Sequence, residues 1–249
     1  MATRQPKSAL ITGGTRGIGR AVALALADGS VNTLFLNYLE NDEAANQIRL
    51  LLEAKNVTVH LLKFNLAFPN EVNALFEAVE SRTNHLDYFV HCAALTTFKP
   101  LFAIKTNQWD LTMNVSARSF LQCCQKCVPL MANGGSIVAI SSTGSQRYNA
   151  NYGALGVAKA TLESIVKYLA VELACKNIRV NGVVSGLIQG DNLPPFPQIE
   201  AVIAETMRRT PAGRLGTPDD VAEMVQFVLT KAPWLCGQNI ILDGGYCLT

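Results

Sequence analysis

Tyr152 and Lys159 lie seven positions apart in the stretch Asn151–Lys159, and their types and spacing could support proton and cofactor chemistry. Seven residues make almost two turns of an α-helix, so both side chains would project from one face, about 10 Å apart along the axis. A phenol can donate a proton and an ammonium can hold a cofactor's hydroxyl groups, which together suit a reductase. The same pair also fits an ordinary amphipathic helix, so the choice depends on a nucleotide-binding signature elsewhere in the chain.

A glycine-rich segment near the start of the chain has the features of such a signature. Thr12–Gly19 follows an apolar strand and opens a helical segment, in the first strand–helix unit. Gly13 allows a tight turn, Gly17 lets the backbone approach a phosphate, and Gly19 lets the helix pack on the strand. A pyrophosphate would lie at the helix N-terminus, on unpaired N–H groups and the positive end of the helix dipole. The segment predicts a dinucleotide site that also includes Thr15, Arg16 and Ile18.

The end of the second predicted strand bears on the choice of dinucleotide. Asn37 lies where a carboxylate would bind the adenosine ribose 2′-hydroxyl of NADH. Because no Asp or Glu stands there, Arg16 could instead meet the 2′-phosphate of NADPH. Glu40, Asp42 and Glu43 follow closely and place negative charge nearby. The sequence favours NADPH and leaves NADH as the alternative.

The whole-chain composition is that of an ordinary globular protein. The 249 residues are 49% hydrophobic and 16% charged, with a formal net charge of +2 and no basic tract, so nucleic-acid and membrane-surface binding are not expected. The polar first residues and the lack of an apolar run of about 18 residues predict no membrane span. Seven cysteines and three histidines show neither zinc spacing nor a secreted disulfide framework. We expect a metal-free, cytoplasmic protein with buried free thiols.

Short apolar runs alternate with segments of helical periodicity along almost the whole chain. The predicted strands are Ser8–Thr12, Thr33–Asn37, Val57–Leu62, Leu86–His91, Ser136–Ser141, Ile178–Val184 and Asn239–Asp243. The predicted helices are Gly17–Asp28, Asp42–Lys55, Glu71–Arg82, Asn107–Met131, Ala150–Cys175 and Pro218–Thr230. Repeated strand–helix units predict an α/β fold, with a single doubly wound parallel sheet of the Rossmann type and helices on both faces. Since no linker or repeat divides the chain, residues 1–249 are expected to form one catalytic domain.

One long irregular segment, Ser185–Gln198, interrupts this alternation with two glycines and three prolines. It follows the carboxyl end of a strand, where ligands bind in parallel sheets. A loop of this length is usually either a lid or disordered. We favour a substrate lid over residues 186–207.

Several motifs together make the chain resemble the short-chain dehydrogenase/reductase superfamily over nearly its whole length. They are Thr12-Gly13-x-x-x-Gly17-x-Gly19, Asn65-Leu66, Asn114-Val115, Ile140-Ser-Ser142, the Tyr152–Lys159 pair and Leu242-Asp-Gly-Gly245. In most of the superfamily the tyrosine precedes the lysine by four positions, where this chain has Leu155. The spacing Tyr152-x6-Lys159 instead resembles the enoyl-acyl-carrier-protein reductases, especially their third type, which uses NADPH.

The resemblance implies a catalytic role for four polar residues. Lys159 would bind the nicotinamide ribose hydroxyls and lower the pKa of Tyr152, which would hold the thioester oxygen of the substrate. Ser142 would support that oxygen or orient the tyrosine, unless it only ends its strand. Asn114 would hold the helix geometry and a water near Lys159, or else make a simple buried hydrogen bond.

The resemblance also implies contacts to the cofactor and the substrate. Cofactor contacts beyond the glycine-rich turn are expected from Asn37, Asn65, Leu66, Cys92, Ala93, Lys159, Gly186 and Ile188. Substrate contacts are expected from Ala94, Tyr148 and Tyr152. For Ile188 the alternative is packing within its loop, and for Tyr148 it is packing one turn below Tyr152. Arg147 is expected to be structural.

The activity implied by this resemblance is NADPH-dependent reduction of the 2,3 double bond of an enoyl thioester in fatty acid elongation. The acyl group is expected on acyl carrier protein, with coenzyme A as the other carrier, and the subunits are expected to form a homotetramer. Two alternatives remain: a carbonyl or 3-oxoacyl reductase with the same cofactor, and a catalytically idle NADPH-binding protein that acts by interaction. The intact Tyr152–Lys159 pair argues against the second.

Overall fold

Seven strands form a single sheet in the computed structural model, which describes residues 7–29, 31–190 and 199–249. The strands are β1 (Lys7–Thr12), β2 (Val31–Tyr38), β3 (Thr58–Lys63), β4 (Tyr88–His91), β5 (Gly135–Ser142), β6 (Ile178–Ser185) and β7 (Asn239–Leu242). They are ordered β3-β2-β1-β4-β5-β6-β7, and each neighbouring pair is parallel. The strand order reverses between β1 and β4, as in a doubly wound Rossmann sheet. The predicted fold class is therefore confirmed.

Helices cover both faces of this sheet. They are α1 (Gly17–Asp28), α2 (Asp42–Glu53), α3 (Pro69–Glu80), α4 (Thr106–Met113), α5 (Ser119–Leu130), α6 (Gly153–Leu173), α7 (Ile199–Arg209) and α8 (Pro218–Thr230). Successive side chains of a strand point to opposite faces, so Leu10 packs under α3, α5 and α6 while Ala9 and Ile11 pack under α1, α2 and α8. Two buried apolar layers result, and both sides of the sheet exclude water.

Three cysteines of α5 belong to the first of these layers. Cys123, Cys124 and Cys127 are fully buried, and burial raises the pKa of the Cys123 thiol to about 12. A thiol held in its neutral form is a poor nucleophile. These side chains act as packing residues.

The predicted helix Asn107–Met131 is wrong in one respect, because the structure divides it into three parts. Between α4 and α5, Asn114–Arg118 form a turn of π-helix, in which the Ser119 N–H donates to the Asn114 carbonyl. This wider turn packs against α6. Apolar periodicity could not reveal it, because one extra residue in one turn barely changes the pattern.

Helix α7 was absent from the sequence prediction, and it overlaps the predicted lid. Ile199, Ile203 and Thr206 face inward at helical spacing, while most of the helix is exposed. Residues 199–207 of the predicted lid are thus helical. Residues 191–198 lie outside the part of the chain that the structure describes.

Neither a membrane-spanning helix nor a metal-ligand cluster is found within residues 7–29, 31–190 and 199–249. No described helix is long and apolar enough to cross a bilayer.

Candidate active site

The glycine-rich turn between β1 and α1 has a backbone geometry that requires glycine. Gly13 and Gly17 have φ angles of 62° and 50°, in the left-handed region that side chains disfavour. A Cβ on Gly19 would lie 2.1 Å from the Gly13 carbonyl oxygen. The turn therefore brings the start of α1 directly against the end of β1, as the sequence pattern predicts.

The start of α1 offers what a phosphate group needs. Arg16 is the N-cap residue, its side chain makes no capping hydrogen bond, and the first turn of the helix holds no acidic residue. The first N–H groups of a helix have no partner within that helix, so those of Gly17, Ile18 and Gly19 can meet an anion. Thr15 is buried beside them and Arg16 is exposed. The residues present thus fit a dinucleotide.

Asn37, which was expected to contact the cofactor, donates the hydrogen bonds of its side-chain amide to other parts of the protein. Its side-chain amide nitrogen donates to the carbonyls of Leu62 and Phe64, at 3.1 and 3.0 Å. Its own carbonyl accepts a hydrogen bond from the Gly14 N–H at 2.9 Å. Asn37 therefore ties the glycine-rich turn to β2 and β3, and its amide hydrogens are not left for a ligand.

The acidic segment after β2 is partly neutralised. Asp42 pairs with the Lys63 ammonium at 2.7 Å and accepts a hydrogen bond from the Tyr38 hydroxyl at 2.8 Å. These contacts lower the pKa of Asp42, with Lys63 the largest cause. Of the three acidic residues that counted against NADPH in the sequence, Asp42 is thus balanced by a lysine that follows 21 positions later.

The ends of β3 and β4 bring five more predicted residues to the same edge of the sheet. Asn65 accepts the Ala67 N–H at 2.9 Å, and Leu66 is buried. The Cys92 N–H donates to the Thr12 carbonyl at 3.1 Å, and Ala93 lies 3.2 Å from where a Cβ on Gly13 would be. Burial raises the pKa of the Cys92 thiol to about 12, which keeps it neutral. The fifth residue, Ala94, is exposed at this edge.

His91, at the end of β4, is a site residue that was not among the predicted catalytic, cofactor or substrate contacts. It is fully buried, and its Nδ1 lies 2.9 Å from the Thr12 hydroxyl. Burial lowers its pKa to about 3, and the nearby Lys159 charge acts in the same direction. His91 therefore stays neutral and links the ends of β1 and β4.

Lys159 lies on α6 with its ammonium inside the protein. Its side chain is 4% exposed, and its Nζ donates to the Ile140 carbonyl at 2.6 Å. Burial lowers its pKa to about 8, while Cys92 and Glu163 act to raise it. A lysine that titrates near neutral pH in a buried site is a candidate for function, since burial of its charge costs stability.

Tyr152 lies just before α6, as its N-cap, so the predicted helix start at Ala150 is wrong. Glycines let the tyrosine ring pack closely: a Cβ on Gly144 would lie 2.4 Å from the ring, and one on Gly156 would lie 2.4 Å from the Gly144 carbonyl oxygen. Burial raises the Tyr152 pKa, and the hydrogen bond with Ser142 opposes that rise. The predicted lowering of this pKa by Lys159 is therefore wrong, because desolvation dominates.

Ser142 and Asn114 flank this tyrosine–lysine pair. Ser142 ends β5, accepts the Gly144 N–H at 3.3 Å and interacts with the Tyr152 hydroxyl, so it both ends its strand and reaches the tyrosine. Asn114 is half-buried at the start of the π turn that packs on α6. The proposed water beside Asn114 remains a prediction.

The remaining predicted residues, Gly186, Ile188 and Tyr148, lie at the periphery of the candidate site. The Gly186 N–H donates to the Leu242 carbonyl at 3.0 Å, and Ile188 pairs with Gly216 beside a cavity of about 130 Å³ that reaches α7. Tyr148 is 91% exposed, which excludes packing beneath Tyr152.

Arg147 makes structural contacts, as expected. Its guanidinium donates to the Tyr246 carbonyl at 2.7 Å and to the Thr249 carbonyl at 3.0 Å. It also lies over the Tyr246 ring, 5.0 Å from the ring centre. Arg147 therefore joins the β5–α6 connection to the end of the chain.

Gly144→Ala should reduce turnover by about 100-fold, because the new methyl group would displace the Tyr152 ring from the Ser142 side. Steady-state kinetics and cofactor fluorescence would separate the loss of turnover from any loss of cofactor affinity, which should be small. Gly213→Ala is the control, since Gly213 also sits in a tight turn but has open space around it. Equal losses in both variants would mean that general strain, and not the position of Tyr152, limits the reaction.

A protein-family model matches nearly the whole chain. Residues 13–247 match the family model described as Enoyl-(Acyl carrier protein) reductase. A similar curated protein is 1-cyclohexenylcarbonyl-CoA reductase from Streptomyces collinus, 38% identical over 239 residues, which cover 95% of this chain and 85% of that protein. The 3-oxoacyl-(acyl-carrier-protein) reductase FabG from Staphylococcus aureus strain N315 is 31% identical over 245 residues, which cover 97% and 98% of the two chains.

Solved structures show the same fold. A putative short-chain alcohol dehydrogenase from Sinorhizobium meliloti 1021 superposes with a TM-score of 0.91 at 26% identity, covering 98% of this chain and 97% of its own. A short-chain type dehydrogenase/reductase from Mycobacterium ulcerans gives 0.90 at 27% identity, covering 99% and 91%. With the glycine-rich turn and the Tyr152–Lys159 pair at one edge of a Rossmann sheet, these likenesses show that the chain belongs to the short-chain dehydrogenase/reductase superfamily of oxidoreductases, which bind NAD(H) or NADP(H).

Proposed function

We propose that the protein reduces the 2,3 double bond of an enoyl thioester with NADPH. The observation that carries this proposal is the position of Tyr152 at the N-cap of α6, with the buried Leu155 at the position four before Lys159. Leucine cannot donate a proton, so Tyr152 is the phenol available to the substrate from this part of α6.

The chemistry of the two reductions differs in where negative charge develops. Reduced nicotinamide supplies a hydride, which in a ketone goes to the carbon that carries the oxygen. In an enoyl thioester the accepting carbon is C3, and charge collects on the thioester oxygen, three bonds away. A donor for that oxygen must therefore lie farther from the hydride position. A tyrosine displaced by about one helical turn meets this need.

Apolar side chains beside Tyr152 suit an acyl group. The Phe98 ring lies 6.0 Å from the Tyr152 ring, centre to centre, and Leu101 packs on the backbone of Gly153. Phe102, on the same segment, is exposed. An apolar wall next to a small number of polar groups is the usual character of a small-molecule site for an apolar substrate.

The named relatives support two related substrates. The Streptomyces collinus protein is named for a coenzyme A thioester whose ring double bond is conjugated with the carbonyl, which is the bond type proposed here. The FabG relatives, at 31% identity or below, are named for 3-oxoacyl groups on acyl carrier protein, and they favour the alternative of 3-oxoacyl reduction. We propose acyl carrier protein as the carrier, with coenzyme A as the second candidate.

The environment of Arg16 supports NADPH as the cofactor. Its guanidinium is exposed beside the glycine-rich turn and has no partner among the described residues. Among the acidic residues that follow β2, Asp42 has its charge balanced by Lys63. A 2′-phosphate would give Arg16 a charge-assisted partner.

Arg16→Ala should raise the Michaelis constant for NADPH by about 10- to 100-fold and leave that for NADH unchanged, because only NADPH carries the 2′-phosphate. Arg20→Ala, one turn further along the exposed side of α1, is the control and should change neither constant. If both cofactors weaken equally in Arg16→Ala, the arginine only holds the turn, and the preference for NADPH loses its main support.

We also propose that the protein forms a homotetramer, as expected from the resemblance. The support is apolar surface on α6 and around β7, where large side chains are exposed: Tyr168, Val171, Ile241, Trp234 and Leu248. Light scattering would give the mass of the assembly, and a monomeric mass would contradict this proposal.

Steady-state assays with a crotonyl thioester and an acetoacetyl thioester, each with NADPH and with NADH, test the proposed function. We expect crotonyl reduction with NADPH to have the highest kcat/KM. Faster turnover of the acetoacetyl thioester would replace the proposal with 3-oxoacyl reduction. Cofactor binding without turnover of either thioester would favour a non-catalytic role.

A further inference from the structure

Glu163 is a carboxylate inside the protein, four residues after Lys159 on α6, with no role in the site described so far. Its side chain is 9% exposed. It accepts hydrogen bonds from the Ser141 hydroxyl at 2.5 Å and from the Ser145 hydroxyl, and the Gln146 amide approaches at 3.4 Å. A buried carboxylate is costly unless it is paired, so these contacts call for an explanation.

The first explanation for the buried carboxylate of Glu163 is its effect on the charge of Lys159. Lys159 is buried near four titratable groups: Tyr152 at the N-cap of its own helix, Glu163 within that helix, and His91 and Cys92 at the end of β4. Burial raises the pKa of Tyr152, so its hydroxyl stays neutral. His91 has a pKa of about 3 and Cys92 of about 12, so both are uncharged near pH 7. Glu163 lies one turn of α6 from Lys159 and is buried with it, so its carboxylate is placed to favour the charged form of Lys159.

The second explanation is that the Glu163 carboxylate holds the turn that follows β5. Ser145 and Gln146, which donate to Glu163, belong to the same short segment as Gly144. The Tyr152 ring packs directly on Gly144, so closely that residue 144 has no room for a Cβ. The backbone carbonyl of Glu163 also accepts a hydrogen bond from Asn239 of β7 at 3.2 Å, which fixes this part of α6 to the sheet.

We propose that Glu163 is a positioning residue that serves both members of the catalytic pair: its carboxylate balances the ammonium of Lys159 and anchors the turn that holds Tyr152. The proposal rests on the proposed function only in that Lys159 binds the nicotinamide ribose. It is independent of which thioester is reduced, and of whether NADPH or NADH is preferred, since both carry that ribose.

The test is the dissociation constant of NADPH and of NADH measured by cofactor fluorescence from pH 6 to pH 10. Affinity should be highest below about pH 8, where Lys159 is charged, and should fall as the pH rises through its pKa. In Glu163→Gln, which keeps the shape but removes the charge, the midpoint of this fall should move to lower pH by about one unit. Glu163→Asp keeps the charge, so its midpoint should stay closer to that of the wild type.

An unchanged midpoint in folded Glu163→Gln would overturn the charge role. Ser145→Ala tests the anchoring role separately: turnover should fall several-fold while the midpoint of cofactor binding stays in place. Wild-type turnover in Ser145→Ala would overturn that role. If Glu163→Gln does not fold by circular dichroism, Glu163→Asp decides the charge role: its retained carboxylate should keep the midpoint near that of the wild type, and a midpoint lower by about one unit would contradict the role. Failure of the enoyl reductase assignment would leave these midpoints unchanged, so the two outcomes are distinguishable.

Discussion

Tyr152→Phe should lower turnover of a crotonyl thioester by about 100- to 1000-fold and leave NADPH affinity nearly unchanged. The phenylalanine ring fills the same space against Gly144, so the fold and the cofactor site should persist. Only the developing charge on the thioester oxygen loses its hydrogen-bond donor. Single-turnover kinetics at saturating NADPH would measure the loss directly.

Tyr148→Phe is the matched control for this experiment. It removes the same hydroxyl from an exposed tyrosine four residues earlier and keeps the ring by which Tyr148 would contact the substrate, so we expect turnover to change less than about twofold. Turnover by Tyr152→Phe close to that of the wild type would remove Tyr152 from the mechanism. A large loss in Tyr148→Phe would instead place the Tyr148 hydroxyl on the substrate.

Lys159→Met should weaken both NADPH binding and turnover, with kcat/KM falling by at least about 100-fold. The same change should leave the cofactor-free protein as stable as the wild type at pH 7, or more stable. The pKa of Lys159 is lowered from 10.5 to about 8 by burial, so charging this side chain in the folded state costs about 3 kcal/mol. Methionine has a similar length and no charge to bury.

Thermal unfolding without cofactor would check the stability part of that prediction. The folded pKa lies below the unfolded value, so the unfolded state binds more protons between about pH 8 and 10.5. The Lys159 contribution to wild-type stability should therefore improve as the pH rises through this window and be least favourable below it. If the melting temperature of Lys159→Met at pH 7 is several degrees below that of the wild type, then Lys159 stabilises the fold.

Much of the fold could be predicted because local signals agree with the tertiary structure. The bounds of α1 and α8 were predicted to the residue: glycines mark the start of the first, and Thr217 with Asp220 forms a capping box at the second. The strands were predicted within two residues at each end, because continuous apolar runs are typical of strands buried on both faces. Helix α7 was missed because most of its side chains are exposed, which leaves few apolar positions to mark it in the sequence.

The site was less predictable where its chemistry depends on distant partners. Glu163 accepts a hydrogen bond from Ser141, 22 positions earlier, and His91 contacts the hydroxyl of Thr12, 79 positions earlier. No local sequence pattern predicts either contact. The direction of the Tyr152 pKa shift was wrong for the same reason, since the burial that raises it comes from packing against other segments. The glycine-rich turn needed only the local backbone, and its geometry could be predicted.

A competition assay tests the central claim most directly. Equimolar crotonyl and acetoacetyl thioesters, on the same carrier, would be mixed with the protein and limiting NADPH, and the products separated by mass spectrometry. The ratio of butyryl to 3-hydroxybutyryl thioester gives the ratio of the two kcat/KM values, free of errors in enzyme concentration. With Tyr152 placed for a thioester oxygen, we expect the butyryl product to dominate by at least about tenfold, or about 1.4 kcal/mol of discrimination. A predominance of the 3-hydroxybutyryl product would contradict the account and identify the protein as a 3-oxoacyl reductase.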